Sequence, residues 1–183
     1  MVELIRSILT QLGEDPQRDG LIKTPDRVDR SLRYLTSGYQ KSAEELLNGA
    51  LFDVAYDEMV IVKDISIASI CEHHLAPFVG RCHIAYIPKG GRILGISKLA
   101  RLAETFSRRL QLQERLTTDI ANTLFEGLKP LGVMVVIEAE HTCMTLRGVR
   151  KADAKTVTSA VLGGFRTDPR TRAEAMALIK GRD

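Results

Sequence analysis

In the stretch ICEHHLAPFVGRCHIAYIPKGG, residues 70 to 91, a thiol, a carboxylate and two imidazoles stand in a row: Cys71, Glu72, His73 and His74. The chain has four histidines, and two of them are adjacent here. Cys71 and His74 have the two-residue gap of a zinc ligand pair, which lets one turn present both to a single ion. Cys82 and His83 are neighbours on a predicted strand and so point to opposite faces. His141 and Cys143 are two apart. If the strand read from Val133 runs through them, they share a face with Val133, Val135, Ile137 and Ala139. The set that results is Cys71, His74 and Cys143 on the metal with one coordination position open, the pattern of a catalytic rather than a structural site. His73 and His141 remain beside it as an acid–base pair for work on a metal-bound water. Spacing favours zinc, and iron(II) would accept much the same ligands. The bland alternatives are a solvent-facing His73, a Cys82 that only fills the core, and a Cys143 that is one more buried strand cysteine.

A second group of residues suits an anion. In GISKLARLAETF, Leu99, Leu102, Ala103 and Phe106 form one helix face, and Lys98 and Arg101 project from another. Ser97 is the expected N-cap. A helix start carrying a serine, a lysine and an arginine can seat a phosphate. Taken alone, a solvated basic face explains it as well. Arg147 shares the parity of His141 and Cys143, which would put a base, a ligand and a cation on one strand face.

Particular elements must hold these residues. Residues 2–12 read as a short amphipathic helix ended by Gly13. KTPDRVDRSLRYL begins a second, with Thr24 as N-cap and Pro25 at the first helical position. Ser42 and Glu45 form a capping-box pattern for a third. From Met59 the chain is rich in β-branched residues, and MVIVKDISIASI and RCHIAYIP read as strands around the Cys–His turn. SKLARLAETFSRRL and LQERLTTDIANTLFEGL read as two helices, the second with Leu112, Leu116, Ile120, Leu124 and Leu128 as an apolar stripe. VMVVIEAEHTCMTLRGV is a strand pair or one long bent strand. TVTSAVLGGF is a last strand, and DPRTRAEAMALI is a closing helix capped by Asp168. Strands and helices fall in blocks rather than alternating, which predicts an α+β fold with a mostly antiparallel sheet. The division expected is an N-terminal helical region, 1–56, and a catalytic domain, 57–183.

Composition narrows the partners. The 183 residues carry a net charge of +3, spread along the chain, with 5% aromatics and no tryptophan. That suits a small anion and disfavours a nucleic-acid stacking platform. An odd cysteine count, three, argues against a disulfide framework. The first ten residues lack a signal-peptide core, and no run is long and apolar enough for a membrane span. No nucleic acid and no membrane are expected as partners, and the expected location is a reducing cytoplasm.

Read together, KTPDRV, CEHHLAPFVG, HIAYIPKGGRILGISKLAR, RRLQLQERLT, HTCMTLRGV and TSAVLGGFRTDP resemble the GTP cyclohydrolase I family, in order and over most of the chain. The resemblance implies hydrolysis of the imidazole ring of GTP, release of C8 as formate, and closure to 7,8-dihydroneopterin triphosphate for folate or pterin synthesis. It implies Zn2+ on Cys71, His74 and Cys143, and His73 and His141 as catalytic residues; His141, beside the ligand Cys143, is our candidate proton donor to N7. It makes Glu114 the reader of guanine with Gln113 assisting. Ser97, Lys98, Arg101 and Arg147 become triphosphate contacts, and Arg27 an arginine supplied by a neighbouring subunit. The implied architecture is the tunnelling fold: a four-stranded antiparallel sheet backed by two helices, preceded by N-terminal helices. Such sheets close into rings and a homodecamer, with sites between subunits. Two rivals stay open. One is another tunnelling-fold enzyme acting on a pterin or deazapurine. The other is a structural zinc module for nucleic acid, which would need a fourth ligand such as Cys82.

Overall fold

The computed structural model describes residues 1–47 and 49–181. The N-terminal part holds α1 (Val2–Gln11), α2 (Thr24–Leu35), a 3-10 turn (Ser37–Gln40), α3 (Ala43–Leu47) and β1 (Leu51–Asp53). After it come β2 (Val60–Cys71), β3 (Pro77–Ile87), β4 (Arg92–Leu94), α4 (Ile96–Ser107), β5 (Leu110–Gln111) and α5 (Gln113–Leu128). The chain ends through β6 (Gly132–His141), α6 (Thr142–Thr145), β7 (Thr156–Gly163), α7 (Gly164–Thr167) and α8 (Pro169–Lys180).

The α+β class holds, and the strand count differs from the four expected. The main sheet has five strands in the order β5-β2-β3-β6-β7. The four long strands pair antiparallel. β5 adds two residues in parallel, Ile70 beside Leu110 and Cys71 beside Gln111. It forms because the chain between α4 and α5 must pass the end of β2, where backbone groups at the sheet edge lack partners. β1 pairs with β4 in a separate two-stranded sheet, so the segment up to residue 56 is not wholly helical.

One face of the sheet carries the main core. Phe78, Cys82, Ile84 and Tyr86 of β3 and Val133, Val135, Ile137 and Ala139 of β6 pack on Leu99, Leu102 and Ala103 of α4. They also pack on Leu116, Ile120 and Leu124 of α5, all wholly buried. Each such aliphatic side chain contributes roughly 1.5–3 kcal/mol of transfer free energy, so this layer is the main source of hydrophobic stabilisation. The other face is partly covered by Phe165 and α8, against Ala85, Met134 and Val136. Burial on both faces explains why β6 reads as a continuous apolar run instead of alternating.

Local details depart from expectation in three places. α2 starts at Thr24 itself, with Lys23 in the cap position; the Thr24 hydroxyl donates back to the Gly20 carbonyl at 3.4 Å. α4 starts at Ile96 with Gly95 at its cap, because β4 draws Gly95 in to donate its N–H to the Ala50 carbonyl at 3.0 Å. Ser97 is therefore inside the helix. The imperfect alternation of MVIVKDISIASI marks a bulge: the β2–β3 register shifts between Val62 and Ile65, and Asp64 takes φ +61°. Asp168 does cap α8, accepting the Arg170 N–H at 2.8 Å.

Candidate metal centre and its surroundings

The Cys–His turn joins β2 to β3. The Cys71 N–H donates to the Ala76 carbonyl at 2.8 Å, and the Leu75 N–H returns to the Cys71 carbonyl at 2.9 Å. Leu75 takes φ +52° to make so tight a turn. The turn sends Cys71 into the core and His74 toward solvent. Cys143 arrives from a different direction than expected. β6 stops at His141, and Cys143 lies in the single helical turn α6, not on a strand. The Thr142 hydroxyl holds that turn by donating to the Pro77 carbonyl, the first residue of β3, at 2.6 Å. The ligand atoms of Cys71, His74 and Cys143 lie within 4.8 Å of one another. Convergence is as expected, and its cause is a helical turn rather than strand parity. Arg147, beyond that turn, is likewise on no strand; it is exposed.

The three side chains fit a metal ion. Two thiols and an imidazole form a soft-to-borderline donor set of the kind zinc takes. Burial, then the neighbouring Cys71 thiol, pushes the Cys143 thiol above its ordinary pKa. Two adjacent thiols cannot both ionise cheaply until a cation sits between them. Cys82 is not in the group. It is wholly buried against the helices, and burial alone pushes its thiol up to about 12.

His141 ends β6 opposite Phe78, and the two rings stack with centroids 4.4 Å apart. Its Nε2 lies 2.8 Å from Oε1 of Gln113. Gln113, expected beside the guanine, is 1% exposed. Its NH2 donates to the carbonyls of Ile137 (3.0 Å) and Thr156 (2.9 Å) and to the Thr158 hydroxyl (3.1 Å). With the nitrogen so committed, the amide oxygen must face His141, and the ring must donate. Neutral His141 therefore carries its hydrogen on Nε2 and leaves Nδ1 free. Burial lowers its pKa below the ordinary 6.5, partly opposed by the Glu114 carboxylate. Glu114 itself is exposed. His73 is exposed on the metal turn, edge-on to His74 at 6.1 Å.

The basic residues are spread out. Ser97 and Arg101 are exposed on α4, and Lys98 is half-buried there. α4 faces β2 across a cleft that Arg101 and Glu104 line with Ile65 and Ile67, and just past its C-terminal end Arg108 donates to the Ala68 carbonyl at 3.5 Å. Ser97 and Lys98 are about 15 Å back along the helix from that contact. Arg27 is exposed in the first turn of α2. One chain thus brings together the three ligands, His141 and Gln113. Glu72 and Arg115, to which the motifs assign no role, form an ion pair between the metal turn and the first turn of α5.

A family model described as GTP cyclohydrolase I matches residues 1–180. The GTP cyclohydrolase 1 of Synechococcus sp. (strain JA-2-3B'a(2-13)) is 57% identical over 180 residues, covering 98% of this chain and 78% of that protein. The Rattus norvegicus enzyme of that name is 59% identical, over 95% of this chain and 72% of its own. The Homo sapiens enzyme is 57% identical, over 95% and 69%.

Proposed function

The chain belongs to the GTP cyclohydrolase I family, and from that premise we propose how its own residues carry the reaction. The activity is hydrolysis of the guanine imidazole ring of GTP, with release of formate and formation of 7,8-dihydroneopterin triphosphate. The observation that carries the assignment of roles is the Cys71–His74–Cys143 group, with His141 fixed beside it by Gln113.

Zinc is the ion that this donor set suits, and Cys71, His74 and Cys143 would hold it. When bound, it supplies a Lewis acid that brings a coordinated water to a pKa of about 7. His141 keeps one hydrogen on Nε2 against Gln113 and moves the other through Nδ1, giving it to N7 of guanine. Burial makes its imidazolium a stronger acid, which suits donation to a weakly basic nitrogen. Protonation at N7 makes C8 an electrophile open to water. His73, solvent-facing on the metal turn, moves protons in ring opening or the ribose steps. Glu114 accepts from guanine N1–H and N2–H2, two donors side by side that match one carboxylate. Gln113 serves the base indirectly, through His141. Ser97, Lys98, Arg101 and Arg147 take the triphosphate, and Arg27 adds a cation from a neighbouring chain. The edges of β2 and β7 that pair with no strand among the described residues support an assembly of chains with the site completed between subunits. The assembly proposed is the family's tunnelling-fold ring, five sheets to a ring and two rings to a decamer, in the cytoplasm. Among the described residues no helix is long and apolar enough to cross a membrane.

The test pairs wild type with His141→Ala, both assayed for zinc, in GTP. Formate and a pterin fluorescent after oxidation should appear in equal amounts with wild type. His141→Ala should lose about 10²–10⁴-fold in formate release, the usual worth of a general acid. A near-normal rate in His141→Ala would overturn its role. Neither product from zinc-loaded wild type would overturn the scheme as a whole.

A further inference from the structure

We propose that Glu72 and Arg115 are a positioning pair that fixes the metal-binding turn against the first turn of α5, and so sets where Glu114 stands relative to Cys71, His73 and His74. The proposal rests on the reading of Glu114 as the guanine acceptor.

The Arg115 guanidinium bridges three segments. Its Nη2 donates to Glu72 Oε2 and to the Leu110 carbonyl at 3.0 Å, and its Nε donates to Gln111 Oε1 at 3.0 Å. Gln111 is buried and donates its own amide hydrogen to the Phe106 carbonyl at 3.1 Å, so its oxygen is held toward Arg115. The Glu72 N–H donates to the Gln111 carbonyl at 3.1 Å, and Cys71 pairs with Gln111 in the β2–β5 ladder. Glu72 therefore sits between a metal ligand and a catalytic histidine, gripped through both backbone and carboxylate.

Three successive residues of one helical turn point about 100° apart. Gln113 reaches in to His141, Arg115 reaches across to the metal turn, and Glu114 is left facing out. The turn behind them is rigid, because Leu116, Thr117 and Ile120 are buried. Both histidine-bearing segments and Glu114 are thus referenced to a single turn of α5. Arg115 turns its Nε and Nη2 donors toward protein acceptors and leaves the two on Nη1, so its grip on the metal turn runs through Glu72. The pair is half-open to solvent, at 43% and 31% side-chain exposure. Exposed ion pairs of this kind add little to stability, so geometry is what removal should disturb.

The experiment is a double-mutant cycle with Glu72→Ala, Arg115→Ala and both together. It reads zinc per chain, formate release from GTP, and preference for GTP over inosine triphosphate, which lacks the N2 amino group. Each single change should lower formate release about 10- to 100-fold with zinc retained. The double variant should be no worse than the poorer single one, and the preference for GTP should narrow in all three. Losses that multiply, or that track lost zinc, overturn the pair. If Arg115→Ala does not fold, Arg115→Lys, which keeps the charge without the fork, completes the cycle. Glu114→Gln is measured alongside. If it leaves the preference for GTP intact, the Glu114 reading fails, and the cycle in formate release still decides the pair.

Discussion

His83 shows what an imidazole does in this chain away from the metal group. It lies on the sheet face opposite Cys82, half-buried, and its Nδ1 accepts the N–H of Asp64, at the β2 bulge, at 3.1 Å. Burial lowers its pKa below the ordinary 6.5, with Asp64 and Glu138 opposing. The unfolded chain therefore takes this proton before the folded protein does. The contribution to stability is whole above pH 6.5 and is lost as pH falls from there through the lower folded value. His83→Gln should lose less melting temperature than wild type between about pH 7.5 and about pH 5.5. Equal losses would show that His83 is not the titrating group. At this scale the Cys71–His74 pair is legible because a local turn makes it. The Glu72–Arg115 pair is not: its members are 43 positions apart, and each alone reads as an ordinary surface charge.

At the scale of elements, α6 is the one on which the site depends. Helices α4 and α5 follow from apolar periodicity, and α8 from its Asp168 cap, all carried locally. α6 does not, since its threonines suit a strand as well, and its position is set by a bond to Pro77 at the start of β3. Strand parity put Cys143 near His74 for a reason the structure replaces. The Thr142–Pro77 bond supports a ligand without touching the metal, so Thr142→Val should weaken zinc binding about tenfold with far-ultraviolet circular dichroism unchanged. Competition with a chromophoric chelator measures it, and unchanged affinity would mean that α6 holds its place by packing alone. β5 escaped notice for a related reason. Two residues of ladder depend on where α4 ends against β2, which no local pattern encodes.

Across the whole molecule, the fold class was readable because strands and helices come in blocks, but the sheet's edges were not. Among the described residues, β7 pairs with a strand on one side only, and β2 has no strand partner along its outer edge from Val60 to Ser69. Edges this long invite pairing with other strands, and joining β2 of one chain to β7 of the next would close them in a ring. For the ring proposed from the family, light scattering in solution should give five or ten chain masses; a stable monomer with full activity would refute the ring and the shared site together. The route from Cys71 to Cys143 has a consequence for how the protein is made. The two segments meet only after β3 has zipped to β6 in the register that sets Phe78 against His141. A ribosome-bound chain that has emerged only as far as α5 offers Cys71 and His74 alone, a two-ligand grip too weak to retain an ion. In the scheme proposed above, the metal would board last, onto a protein whose core is already closed. Cells short of zinc should accordingly accumulate folded, empty enzyme that is ready for rescue, rather than chains destined for proteolysis.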